Sequence, residues 1–194
     1  HPDVPATYGD RQYVMSQFME RQLRLAELRD FLLATHAEGR PCVIDEDNSA
    51  SMYVDDTGWT IHRKRAWTTV LSGSHYDYID FSIQVGLEAG TEESRRTIHS
   101  WMRNLSEFIH AFDAIHAQPD TNWLQVNVPH AVISGLAVPG SQYAAYVADG
   151  REIDEAGAGT PLSGSVQLTL PAGAYLVSLY SPMTGQESPG LAVA

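Results

Sequence analysis

The chain has 194 residues, of which 43% are hydrophobic, a composition typical of one large globular domain or two small ones. Its formal net charge of −12 disfavours nucleic acid and anionic membrane surfaces as partners, because both would repel it. A single cysteine, Cys42, excludes an intrachain disulfide and a cysteine-based metal site, and no apolar run is long enough to span a membrane.

The first predicted elements are a helix and a short strand. Asp10 is placed to cap a helix whose apolar residues recur near the helical period and which Gly39 ends. The apolar run 41–44 then predicts a buried strand, opened by a proline that needs no ladder donor. Directly after it come Asp45, Glu46, Asp47 and Asn48. This acidic segment indicates either the carboxyl end of a parallel strand, where active sites form, or a solvated loop.

A second helix, a second strand and a third helix follow. Residues 59–71 predict a short helix, and the aromatic and β-branched run 75–83 predicts a strand. Thr91 is a helix cap, with Glu92 and Glu93 in the first turn, and the apolar face that follows predicts a long helix to about residue 117. Alternating helices and strands favour parallel β/α units.

After about residue 121 the pattern changes to short strands separated by turns. The clearest strands are 142–148, 165–170 and 174–181. We therefore predict two parts: residues 1–120 with β/α units, and residues 121–194 as a small antiparallel β domain resembling a sandwich.

Several segments together resemble a known family. The chain is similar to the C-terminal part of glycoside-hydrolase-like (β/α)8-barrel proteins of the apiosidase-like group, which carry an appended β domain labelled collagen-binding. Nearly the whole chain takes part, and the segments that carry the resemblance are PCVIDEDN (41–48), IHRKRAW (61–67), SGSHYDYIDFS (72–82), GTEESRRTIHSWMRNLSEFI (90–109) and LPAGAYLVSLYSPMTGQ (170–186).

The resemblance implies a fold class and an activity. Run 41–46 is similar to barrel strand seven, 75–82 to strand eight, and the helix after Thr91 to the closing helix of a TIM barrel. In such retaining enzymes the nucleophile is a glutamate at the end of strand seven, which corresponds to Glu46. The acid/base residue belongs to strand four, outside this chain. The expected function is hydrolysis of a polysaccharide or its side chains, with an extracellular or periplasmic location inferred from that substrate class.

The missing barrel strands leave three alternatives. A complete barrel takes about 250 residues. Its remainder belongs to a longer polypeptide, or a second chain completes the barrel, or the segment is a barrel remnant in a non-catalytic carbohydrate-binding or structural assembly. Cofactors and metals are not expected, since no HExxH motif or calcium-loop spacing occurs.

The candidate substrate-binding residues surround the predicted nucleophile. They are His1, Asp45, Asn48, His75, Tyr76 and Asp77. Side chains alternate between the two faces of a strand, so Asp45 or Asp47 could face the site in place of Glu46. Alternatively, all three are surface charges. For Tyr76 the alternative is a core aromatic. The basic run 62–65 is interpreted as a solvated helix face, with Arg65 able to pair with a carboxylate. Four tyrosines of the β domain are core residues or a carbohydrate platform: Tyr143, Tyr146, Tyr175 and Tyr180.

Overall fold

The fold is a mixture of helices and small sheets in the computed structural model, which describes residues 24–45, 47, 55–78, 83–86, 90–153 and 155–194. Its first half alternates helices and strands: α1 Leu25–His36, β1 Val43–Ile44, α2 Asp56–Val70, β2 His75–Tyr76 and α3 Glu92–Ala111. Its second half is built of strands: β3 Gln118–Pro119, β4 Leu124–Asn127, β5 Ala131–Val138, β6 Gln142–Asp149, β7 Ser165–Leu168, β8 Tyr175–Val177 and β9 Leu191–Val193.

Strands β1 and β2 form a parallel pair with α2 between them in the chain. Val43 pairs with His75, and Ile44 pairs with Tyr76. A parallel pair needs a crossover connection, usually a helix, and α2 supplies it. The predicted parallel β/α unit is therefore confirmed. The strand predicted at 75–83 is shorter than expected among the described residues, because β2 ends at Tyr76.

Side-chain caps determine where α2 and α3 begin. The Asp55 carboxylate accepts a hydrogen bond from the Gly58 amide at 3.1 Å, so α2 begins at Asp56, three residues before the prediction. Thr91 caps α3 as predicted, since its hydroxyl oxygen accepts from the Ser94 amide at 3.0 Å. Helix α3 ends at Ala111 and not at 117, because the chain turns over residues 112–116 to bring β3 against β5.

The second half contains three antiparallel sheets among the described residues. Their strand orders are β3-β5-β6, β4-β7 and β8-β9. The three predicted strands correspond to β6, β7 and β8. Strands β3, β4 and β9 were not predicted, and neither was the long strand β5. Its run AVISGLAV lacks a polar alternation because most of its residues are buried on both faces. The described strands close no barrel, so the observed class is mixed α/β, and a sandwich arrangement stays a prediction.

One apolar core joins the two halves. Trp67 and Leu71 of α2 and Leu105 of α3 pack with Leu136 of β5 and Ala144 of β6. A second core lies between α1 and β1. The domain boundary predicted at residue 120 stays a prediction, and this packing crosses it.

Candidate functional site

Polar residues directly follow both parallel strands. Asp45 comes after Ile44 of β1, and Asp77 comes after Tyr76 of β2. The Asp77 amide donates to the Ile44 carbonyl at 2.8 Å, which continues the ladder one step past the paired residues. Neighbouring strands lie about 4.8 Å apart. The two aspartates therefore stand side by side at the carboxyl ends of the strands, where α/β proteins place their chemistry.

The two faces of the parallel pair differ in what covers them. Ile44 is 4% exposed and packs against α1, together with its half-buried partner Tyr76. On the opposite face Val43 is 47% exposed, and His75, which is paired with it, is also exposed. Parallel sheets normally have both faces covered. The described residues leave the face that carries Val43 and His75 uncovered.

A buried ion pair lies just beyond the end of β1. Arg65 of α2 donates from Nε to Asp47 Oδ2 at 2.7 Å, and the Tyr76 hydroxyl donates to the same oxygen at 2.9 Å. Asp47 is 2% exposed and Arg65 is 4% exposed. We call these three residues the Asp47 cluster. It ties the segment after β1 both to the crossover helix and to the neighbouring strand.

The electrostatics of the Asp47 cluster follow from its burial. Burial by itself lowers the pKa of Arg65, but the Asp47 carboxylate more than offsets this effect, so the pKa is raised. Burial, and after it the adjacent Asp47 charge, holds the pKa of Tyr76 well above its usual range. The arrangement is thus a charged pair with a neutral tyrosine at ordinary pH.

Two further basic residues of α2 form aromatic contacts. His62, which is fully buried, meets the ring of Tyr78 edge to face at 4.6 Å between centroids. The Arg63 guanidinium carbon lies 4.3 Å from the ring centroid of Trp101. The interpretation of residues 62–65 as a solvated face is therefore wrong for His62 and Arg65. The predicted pairing of Arg65 with a carboxylate is confirmed through the contact between Nε and Asp47 Oδ2, whereas its bidentate form stays a prediction.

Of the seven predicted site residues, the structure places Asp45 and Asp77 at the two strand ends and His75 at the first position of β2. Asp45 is half-buried, and His75 and Asp77 are exposed. Tyr76 is turned to the helix side and contacts Asp47. The predicted nucleophile and two predicted binding residues lie outside the described residues: Glu46, His1 and Asn48.

No protein-family model, curated protein or solved structure matches this chain.

The remaining features of the described residues concern metal binding, membrane spans and the tyrosines of the β half. Among these residues no group of three or more histidine, cysteine or acidic side chains is placed to hold a metal ion. None of the helices described is long and apolar enough to cross a membrane. In the β half, Tyr146 and Tyr180 pack against Trp67 in the shared core, whereas Tyr143 and Tyr175 are half-buried and meet edge to face.

Sequence reasoning missed how these residues combine. From the sequence, Asp47 was an alternative to Glu46 as the residue that faces the site, and Tyr76 was either a sugar contact or a core aromatic. The available signal was Arg65, a cation next to the apolar pair Ala66 and Trp67 in a helix that follows an acidic strand end. A cation among buried residues requires a buried carboxylate nearby.

Proposed function

We propose that this chain forms the C-terminal part of a retaining glycoside hydrolase that acts on a polysaccharide or its side chains. The observation that carries the proposal is the exposed face of the β1–β2 pair, which carries His75, together with Asp45 and Asp77 at the carboxyl ends of the two parallel strands. In barrel enzymes, catalytic residues come from the ends of several strands at this edge. The motifs around the edge are those that resemble apiosidase-like proteins.

Glu46 is the nucleophile in this proposal. Its carboxylate attacks the anomeric carbon while the glycosidic C–O bond breaks, and an acid residue outside residues 1–194 protonates the leaving oxygen. Water, deprotonated by the same outside residue, then attacks the anomeric carbon and releases Glu46. His75 and Asp77 bind sugar hydroxyls, since both are exposed beside the strand end.

The remaining barrel strands come from outside this chain. They belong to a longer polypeptide or to a second chain, and they cover the exposed face that carries Val43 and His75. The uncovered parallel pair supports this, because such strands are stable when both faces are covered. Native mass spectrometry of the protein from its source distinguishes the two origins. A second polypeptide in the complex identifies a split enzyme, and one longer chain identifies a single polypeptide.

The test of the function is the variant Glu46→Gln in the complete enzyme. Hydrolysis of a panel of nitrophenyl glycosides is expected to fall to background, because an amide cannot form the glycosyl-enzyme bond. Glu107→Gln is the matched control, since Glu107 lies on the exposed side of α3 and pairs with Arg103. Turnover that persists in Glu46→Gln contradicts the proposal. Glycan binding without turnover by the unmodified enzyme instead favours the non-catalytic alternative.

A further inference from the structure

The Asp47 cluster joins three elements at the point where the proposed chemistry takes place. Asp47 follows β1, Arg65 lies in the middle of α2, and Tyr76 ends β2. One carboxylate oxygen, Asp47 Oδ2, accepts from both partners, at 2.7 Å from Arg65 and at 2.9 Å from Tyr76. Loss of these two hydrogen bonds would therefore release Asp47 from both α2 and β2.

The burial of the pair makes the anchor costly to disturb. Asp47 and Arg65 are 2% and 4% exposed, so neither charge can return to water while the fold persists. Removing one partner of such a pair leaves a buried charge uncompensated. The Asp47 side chain is therefore held in one arrangement, whereas surface ion pairs restrict their side chains weakly.

Asp47 is also the immediate neighbour of the proposed nucleophile in the chain. Consecutive Cα atoms are about 3.8 Å apart, so whatever fixes the backbone at Asp47 constrains the position of residue 46. On the other side, the Asp77 amide holds the Ile44 carbonyl at 2.8 Å. Ile44 and Asp47, the described residues on either side of this position, are thus each held by contacts to β2 or α2.

We propose that Asp47 is a positioning residue: its buried carboxylate, held by Arg65 and Tyr76, sets the place of the strand end that carries the nucleophile. This inference rests on the proposed function. Asp47 acts through the backbone and touches no substrate. The chemistry of glycoside cleavage needs its carboxylate at a defined distance from the acid, and small displacements lower the rate steeply.

The first test is Asp47→Asn in the complete enzyme, assayed with the nitrophenyl glycoside that the unmodified enzyme hydrolyses. We expect kcat to fall about tenfold to a hundredfold with KM unchanged, because a displaced nucleophile affects the chemical step and not binding. Tyr76→Phe keeps the ion pair and loses one hydrogen bond, so a smaller loss of kcat is expected. Asp149→Asn is the matched control, since Asp149 pairs with Arg151 in the β half at 2.8 Å.

A repacked variant separates positioning from stability. Asp47→Leu, Arg65→Met and Tyr76→Phe together replace the polar cluster with apolar groups, and such replacements are often neutral or stabilising. We expect Tm to return toward that of the unmodified enzyme while kcat stays low. Recovery of kcat together with Tm would show that the cluster serves stability alone, which overturns the inference.

A second measurement needs no turnover. Amide hydrogen exchange of the peptide that spans residues 43–48 is expected to become about tenfold faster in Asp47→Asn and to stay unchanged in Asp149→Asn. Unchanged exchange contradicts the inference. Failure of the proposed function can be told apart from failure of the positioning role, because only the former would leave Glu46→Gln active. If Glu46→Gln is inactive while Asp47→Asn keeps its full kcat, only the positioning role fails.

Discussion

Trp67→Ala tests whether the helical and β halves unfold as one unit. Trp67 is 2% exposed, and its ring contacts Phe108 of α3, Tyr146 of β6 and Tyr180 at centroid distances of 5.0, 5.6 and 5.6 Å. Removing a buried tryptophan costs about 3–5 kcal/mol of unfolding free energy. For a chain of this size each kcal/mol lowers Tm by about 2–4 °C, so a decrease of about 6–20 °C is expected.

The assay is urea and thermal unfolding followed by far-UV circular dichroism and by near-UV tyrosine signals. Because the Trp67 ring contacts both halves, the two probes should shift together and keep one transition. Ile115→Ala is the control, since Ile115 is 90% exposed and its truncation should change the unfolding free energy by less than about 0.5 kcal/mol. A loss below about 1 kcal/mol, or two transitions of which one is unshifted, refutes a shared core.

Two further predictions concern the pH dependence of stability and a close approach between loops. The raised pKa of Tyr76 means that the folded state holds its proton longer than the unfolded chain, so the unfolding free energy should fall above about pH 10, by about 1.4 kcal/mol per pH unit. Urea titrations should show a shallower decrease in Tyr76→Phe, and an unchanged slope contradicts the assignment. Gly73→Ala should destabilise the protein more than Gly39→Ala. Both glycines have positive φ, but an added Cβ at Gly73 would lie 2.5 Å from Pro119, whereas Gly39 has open space. If both variants lose the same unfolding free energy, Pro119 can shift to accept the added Cβ at Gly73 without cost.

The sequence predicted well those helices and strands that depend on interactions between residues close together in the chain. Helix α3 was predicted from the Thr91 cap, the acidic first turn and the apolar stripe, and all three act within a few residues. The parallel arrangement of β1 and β2 followed from helix and strand alternation. Strand β5 was missed because burial on both faces removes the alternation that identifies a strand.

The Asp47 cluster illustrates what sequence patterns do not contain. Hydropathy patterns place charged residues outside, and Arg65 is buried because a carboxylate eighteen positions earlier meets it. The contact between Arg65 and Asp47 depends on how α2 packs on the β1–β2 pair. The sequence motifs located the acidic strand end, and three-dimensional packing assigned Asp47 to the helix side and exposed His75 on the other face.

Covalent trapping would identify the nucleophile of the proposed enzyme. A retaining hydrolase forms a glycosyl-enzyme intermediate on its nucleophile, and deoxyfluoro glycosides with good leaving groups slow its breakdown enough to isolate it. The complete enzyme is incubated with a panel of these reagents, digested, and its peptides are sequenced by mass spectrometry. We expect one added sugar on Glu46. A sugar on any other residue, or turnover of the matching glycoside with no trapped sugar, contradicts it.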